Sequence, residues 1–418
     1  MTRAAVTLAI VLAALTSGCG GDDDAAAPVD SRSCSAVLYE GEGTPDAIVV
    51  SDLPRGGIGA ETSTLMVAAI KHVLRDRGYR AGALRIGYQS CNDTVGDQPF
   101  DEGLCERNAR AYASAPDVLG VIGPWNSGCA AAQLPLLSRK AAGPLAVISP
   151  SNTFAGLTRP APGGYPGRLY PDGVRNYVRV VPSDGAQGAV FALLAQKRGL
   201  RRVVALVQSR DDYGSGLGTT FLATARGLGL DARRVEWRQQ PTYAALARRV
   251  ARWRPQLVYL AGPTQANAKR LLEELRGALG SSATLTAPDA FASVAADLGP
   301  AGEGLLVSVG GVPTELLPPE CKEFLRAFGR PAFAARGSLG APEAAQAAGV
   351  LLDAIGRSDG TRSSVVDELF RTKVTRGILG TFGFDRNGDI VPAPVGILRF
   401  HDGAVIVERV VRVPGAAD

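Results

Sequence analysis

Two short stretches carry the side chains best suited to chemistry. The first reads Val121-Ile122-Gly123-Pro124-Trp125-Asn126-Ser127-Gly128-Cys129, and the second Val147-Ile148-Ser149-Pro150-Ser151-Asn152-Thr153. Each is an apolar strand, Val118 to Ile122 and Leu145 to Ser149, that ends in small hydroxyl residues where a helix or turn begins. The first is followed by a helical pattern from Ala130 to Ala141. At such a junction free backbone N–H groups and the helix dipole favour an anion, and the hydroxyls of Ser127, Ser151 and Thr153 stand beside it. A carboxylate suits that place. Trp125, next to Ser127, reads either as an apolar wall of the cradle or as a core residue.

The elements that must position this cradle alternate. Strands at Ala47 to Ser51 and Leu84 to Tyr88 join the two above, with helices at Ala60 to Arg77 and Leu104 to Ala115 between them. In the first helix Leu65, Met66, Ala69, Ile70, Val73 and Leu74 share one face and Gly78 supplies the stop. The pattern then restarts. Val203 to Gln208, Ala232 to Trp237, Leu257 to Ala261 and Thr284 to Ala287 read as strands, separated by helices at Gly188 to Arg198, Gly216 to Gly227, Ala244 to Trp253 and Ala266 to Leu279. Leu305 to Val309 reads as a further strand, followed by helices at Glu320 to Phe328, Pro342 to Gly356 and Ser363 to Thr372. A final strand pair, Gly396 to Phe400 and Ala404 to Val411, turns at Asp402-Gly403. Two βαβ series of similar size imply an α/β chain with two Rossmann-like lobes, each a parallel sheet covered by helices.

The N-terminus reads as an export signal. Met1-Thr2-Arg3 precedes an apolar run from Ala4 to Leu15 and then Thr16-Ser17-Gly18-Cys19. That run is shorter than the ~20 residues of a membrane-spanning helix. Thr16 stands where lipoboxes usually carry Leu. Cys19 is therefore the expected lipidation site and 1–19 the signal, with 20–45 a flexible tether holding the protein on the outer face of the cytoplasmic membrane. The net charge of +5 comes from arginines scattered on amphipathic helices, which reads as a solvated face rather than a nucleic-acid surface.

Beyond Cys19 the chain has Cys34, Cys91, Cys105, Cys129 and Cys321, an odd number for an oxidising compartment, so at least one is free or differently paired. No Cys-x-x-Cys occurs and His72 and His401 are far apart, which argues against zinc.

From Val121 to Thr158 the chain resembles the Leu/Ile/Val-binding protein family, type I periplasmic-type receptors that feed ABC importers. The likeness extends through Arg179 to Gln187 (RVVPSDGAQ), Asp211 to Gly216 (DDYGSG) and Phe382 to Asp389 (FGFDRNGD). The resemblance implies that Ser127 and Thr153 bind the backbone of an amino-acid ligand. It likewise implies that Asp289 meets the ammonium and that Tyr213 closes over the solute. A helix N-cap is the plainer reading of Asp289, and an exposed tyrosine packed on its helix that of Tyr213.

It also implies three crossings between the lobes, near Val180 to Ser183, Val309 to Pro313 and Gly383 to Gly388, with 46–181 and 311–384 in lobe 1 and 182–310 and 385–413 in lobe 2. A disulfide from Cys91 or Cys105 to Cys129 is implied as well, with Cys91–Cys129 favoured and Cys34 and Cys321 unassigned. One departure concerns Gly262-Pro263-Thr264-Gln265, where the family often carries an aromatic pair, so the ligand's side chain stays open.

Catalytic patterns are missing from the sequence: no Gly-x-Ser-x-Gly elbow, P-loop or His-Glu-x-x-His. Gly56-Gly57-Ile58-Gly59 lacks the third glycine of a dinucleotide fingerprint, and Asp385-Arg386-Asn387-Gly388-Asp389 reads as a tight turn rather than a calcium loop. The expectation is a monomeric, cofactor-free, non-enzymatic receptor with a small-molecule ligand, ABC permease subunits and a lipid anchor as partners. Alternatives are a sensory receptor subunit, or a receptor for amides, urea-like solutes or aromatic acids.

Overall fold

The computed structural model describes residues 25–414 apart from 58, 99, 210–211, 263–266, 295–297 and 334–338. Cys19 and the signal therefore lie outside the described residues. No helix among the described residues is long and apolar enough to cross a membrane.

The first sheet is built from β1 (Ala47–Asp52), β2 (Arg80–Ala81), β3 (Leu84–Cys91), β4 (Val118–Ile122), β5 (Ala146–Ser149) and β6 (Tyr177–Arg179), in the order β2-β3-β1-β4-β5-β6. All but the short β2 run parallel, with Val49 opposite Tyr88 and Val121 opposite Val147. Buried on both faces, Ala47 to Val50 of β1 and the whole of β4 read as unbroken runs of apolar residues and glycine instead of alternating ones. Helices α1 (Ala60–Asp76), α2 (Glu102–Ser114) and α3 (Ser127–Leu137) follow strands β1, β3 and β4. Met66, Ala69, Ile70 and Leu74 of α1 are buried, as their spacing requires.

The second sheet follows α4 (Asp184–Lys197). Its parallel part is β7 (Arg202–Gln208), β8 (Asp231–Trp237), β9 (Leu257–Ala261), β10 (Thr284–Ala287) and β11 (Leu306–Gly310), with α5 (Asp212–Gly227), α6 (Ala244–Arg252) and α7 (Ala268–Leu279) between them. The chain then returns to the first lobe as α8 (Pro319–Phe328), α9 (Ala341–Arg357) and α10 (Arg362–Phe370). Helix α9 is buried along almost its whole length, its Leu351 lying on Gly120 of β4. A small antiparallel sheet follows, β12 (Lys373–Gly377), β13 (Gly380–Phe384) and β14 (Ile390–Val391), and the hairpin β15 (Ala393–His401) and β16 (Ala404–Val413) completes the second sheet in the order β16-β15-β11-β10-β9-β7-β8. Asp402 and Gly403 both take positive φ, 48° and 72°, as the Asp-Gly turn demands.

Three expectations change. The third crossing falls between β14 and β15, not at Gly383 to Gly388, because the Asp385–Asp389 turn folds back and pairs Gly383 with Val391. Residues 25–45 are no solvated tether. Ala26 and Val29 are buried, the Val29 N–H donates to Gln89 Oε1 over 2.7 Å, Leu38 bridges Tyr88, and Cys34 is bonded to Cys91. The disulfides are Cys34–Cys91 and Cys105–Cys129, so the favoured Cys91–Cys129 pair is wrong: the folded leading segment brings Cys34 to Cys91, and Cys105 on α2 faces Cys129 on α3. Cys321 is free and buried.

Candidate functional site

The two cradle loops are laced together by their own polar groups. Ser149 Oγ and Asn152 Nδ2 donate to the Pro124 carbonyl over 3.2 and 3.0 Å, and Asn152 Nδ2 also reaches the Trp125 carbonyl at 2.9 Å. The chain can make this approach because residue 123 is glycine. Its φ is 126°, and a Cβ there would sit 2.5 Å from the Asp52 carbonyl oxygen.

Ser127 opens α3, which Asn126 caps by accepting from the Gly128 N–H at 2.7 Å. Its Oγ accepts from the Phe154 N–H over 3.3 Å, which leaves its own hydrogen available to an anion at the helix N-terminus. Ser151 differs. Its hydroxyl donates to the Trp125 carbonyl at 2.8 Å, so lone pairs remain and suit an N–H donor better than a carboxylate. Trp125 is half-buried, its ring lying over Gly59.

Thr153 faces the second lobe. Its carbonyl accepts from the Asp184 N–H at 2.8 Å where α4 begins, and its side chain favours the ionised form of the Asp184 carboxyl. On the second lobe Tyr213, in the first turn of α5, donates its hydroxyl to Asp289 Oδ1. Asp289 follows β10, is exposed, and also accepts from the Ala290 N–H at 3.0 Å. The helix-capping and ligand readings of Asp289 are thus geometrically compatible.

Asp184 was not among the residues singled out from sequence. Burial, and then the charge of Asp289, push its carboxyl up to about 6, against a smaller opposing pull from Thr153 and Arg179. Two carboxylates thus share one small region, and among the described residues no lysine or arginine is bonded to either. Tyr259, within β9, is a second such residue. Its hydroxyl is buried without a hydrogen-bond partner, and burial followed by the charges of Asp289 and Asp184 drives its ionisation well above the ordinary range. The place of Asp184 directly after the first crossing is the signal that could have found it. Tyr259 gave none, since an aromatic inside a strand reads as core.

Other sequence candidates are placed elsewhere. Asp211 and Pro263 to Gln265 lie outside the described residues. The carboxylates of Asp385 and Asp389 are bonded to Arg159, and Asp389 also to Arg179, which leaves no calcium loop there. A cavity of about 410 Å³ lies on the hinge side, between Ser183, Ala189, Thr220, Asp385 and Val391. None of Ser127, Thr153, Tyr213 or Asp289 lines it, so it is separate from the cradle.

Comparison with known proteins fits this geometry. The leucine-binding protein LivK of Thermotoga maritima is 22% identical, with a TM-score of 0.64 over 88% of this chain and 99% of its own. A substrate-binding protein of Desulfitobacterium hafniense, solved in complex with Leu, is 20% identical with a TM-score of 0.65 over 87% and 99%. A solute-binding protein of R. palustris in complex with benzoate is 16% identical, with a TM-score of 0.61 over 89% and 97%. At these identities the likeness is one of fold: two α/β lobes of the type I periplasmic binding architecture. No curated protein sequence matches the chain. The model of the periplasmic binding protein family matches residues 55–404, nearly the whole described chain, and the protein belongs to that family.

Proposed function

We propose that the protein is the extracytoplasmic solute-binding component of an ABC importer, and that it captures an amino acid or a closely related cationic-headgroup solute between its lobes. The observation that carries this reading is the juxtaposition of unlike chemistry at one place. Ser127 offers a hydroxyl at a helix N-terminus and is bonded to the Phe154 N–H, while the adjoining Thr153 carbonyl accepts from the N–H of Asp184, whose carboxylate feels that of Asp289.

A free amino acid has both a carboxylate and an ammonium on one carbon and matches such a pair of subsites. Ser127 and Thr153 hold the carboxylate in this reading, with the acids and the Ser151 lone pairs around the ammonium. Tyr213, oriented by Asp289, closes over the solute, and Trp125 forms part of the wall. A fold relative is solved with benzoate, but two acids beside the cradle disfavour a ligand that is only an anion. Lipidation at Cys19 would keep the receptor near its permease.

A thermal-shift screen against amino acids, amides and small carboxylates tests the reading. Ligand at a hundredfold excess over Kd adds ~2.7 kcal/mol of stability, a shift of degrees. Stabilisation by amino acids supports it, and stabilisation by carboxylates alone removes the ammonium subsite.

A further inference from the structure

Beneath the cradle, a group of buried oxygens is left without hydrogen-bond donors. Asp93, in the loop after β3, is 0% exposed, and neither oxygen of its carboxylate has a hydrogen-bond partner. Asp52, the last residue of β1, is likewise 0% exposed. It takes a hydrogen bond from Asn108 Nδ2 at 3.0 Å and another from Gln133 Nε2. Gln133 belongs to α3 and is 1% exposed. With its nitrogen on Asp52, its Oε1 lies one amide fork away and has no partner. Asn108 also donates to the Asn92 carbonyl at 2.9 Å, which draws the Asp93 loop against the same centre. The Tyr112 hydroxyl, interacting with Asp52, completes the lining.

Among the described residues no arginine or lysine bonds either carboxylate, and the groups facing Asp52 are neutral, two amides and the Tyr112 hydroxyl. Burial followed by the charge of Asp52 pushes Asp93 up to about 8, and burial pushes Asp52 to about 6. One proton on Asp93 supplies a single donor, which still leaves at least one of Asp93 Oδ1, Asp93 Oδ2 and Gln133 Oε1 without a partner. A cation resolves the arrangement. Hard cations of the calcium class bind carboxylate and amide oxygens at 2.3–2.6 Å, which holds the oxygens too far apart to bond one another but close enough to share an ion.

We propose that Asp52, Asp93 and Gln133 form a buried Ca²⁺ site that fastens β1, the loop after β3 and the cradle helix α3 to one another. Two carboxylates match the charge of a divalent ion, and the Gln133 amide oxygen adds a neutral ligand of the same class. The Cys105–Cys129 bridge joins α2 to α3 beside it, so ion and disulfide brace the same helix. The site differs from Glu303, His401 and Asp402, which cluster at the surface and are all exposed.

The test uses purified protein dialysed against EDTA and then titrated with CaCl2, with NaCl matched for ionic strength as the control. The expected result is a rise in Tm with CaCl2 that the control lacks, and calorimetry giving one ion per chain. Asp93→Asn, which removes a buried charge without changing shape, should lose most of that rise, whereas Glu303→Gln should keep it. Should Asp93→Asn fail to fold, elemental analysis of the wild-type protein before EDTA treatment decides, with one calcium per chain expected. A wild-type Tm indifferent to CaCl2, or a rise undiminished in Asp93→Asn, overturns the proposal.

Discussion

Arg179 and Asp389 meet where the first and third stretches of connecting chain touch, the guanidinium Nε donating to Asp389 Oδ1 over 2.8 Å. Arg179 is fully buried, and its remaining nitrogens donate to the carbonyls of Asn152 and Phe154 and to Thr158 Oγ1, at 3.2, 2.9 and 2.5 Å. The loop that carries Thr153 is thereby fastened to the turn preceding the third crossing. That turn needs Gly388, at φ 94°, because a Cβ there would run into the Tyr177 carbonyl. Arg179 thus joins the connecting chain to the cradle loop.

Breaking this pair should be costly. Asp389→Asn leaves Arg179 buried with its countercharge gone, and loss of one partner of such a pair typically costs about 3–5 kcal/mol. Burial alone would raise the Asp389 carboxyl, but Arg179, Arg159 and Thr158 outweigh it and hold it below the ordinary value. The wild-type contribution is therefore present above the unfolded carboxylate range and fades as pH falls through the folded value. Urea titrations should show the variant destabilised at pH 7, with the gap to wild type narrowing in acid. A variant as stable as wild type at pH 7 would remove the pair from the account.

The cleft should respond to pH through Asp184. Its carboxyl is raised to about 6 by burial and by Asp289. In the absence of ligand its contribution to stability is fully present below the unfolded value and is lost as pH rises through about 6. An ammonium ligand requires the carboxylate, so affinity should strengthen as pH climbs through that same value. Replacing Asp289 with Asn removes the neighbouring charge and should move the inflection to lower pH. Calorimetric titration from pH 5 to pH 8, on the order of the span needed to bracket the shift, checks both; affinity flat across the range contradicts the role of Asp184.

Tyr213→Phe deletes the hydroxyl that donates to Asp289 while keeping the ring. Folding stability should hardly change, since Asp289 is exposed. Ligand affinity should fall by about 1.5–3 kcal/mol, the scale of one hydrogen bond to a charged group. An unaltered Kd would make Tyr213 a packing residue.

Cys321 should be silent. Burial, and secondarily the charge of Glu343, push its thiol up to about 12, so at neutral pH it is neither exposed nor ionised. An aromatic disulfide reagent should find no thiol in native protein beginning after Cys19 and one per chain after denaturation without reduction. Peptide mapping of the unreduced protein should recover Cys34–Cys91 and Cys105–Cys129.

Periodicity located the strands and helices because burial on both faces of the sheets leaves long apolar runs, as in Val118–Ile122 and Leu257–Ala261. It passed over β6 and β12–β14, which are short or glycine-rich and carry little pattern. The leading segment was misread for a similar reason: Ala26 and Val29 are too few to mark a packed element, and only the fold shows that Cys34 reaches Cys91. Ser127, Thr153, Tyr213 and Asp289 were candidates from spacing and resemblance alone. Asp184 was passed over although its place after the first crossing marked it, and Tyr259 could not be named, since its significance lies in which charges surround it. The commitment of the Ser151 hydrogen to the Trp125 carbonyl is equally a fact of three dimensions.

The most direct measurement is isothermal titration of the protein and of Asp289→Ala with the amino acid that gives the largest thermal shift. The account predicts one site per chain in the wild type. It also predicts about tenfold to a hundredfold weaker binding in the variant, the scale of one charge-assisted hydrogen bond. Equal affinity in the two proteins, or tight binding only of solutes without a cationic group, would contradict it.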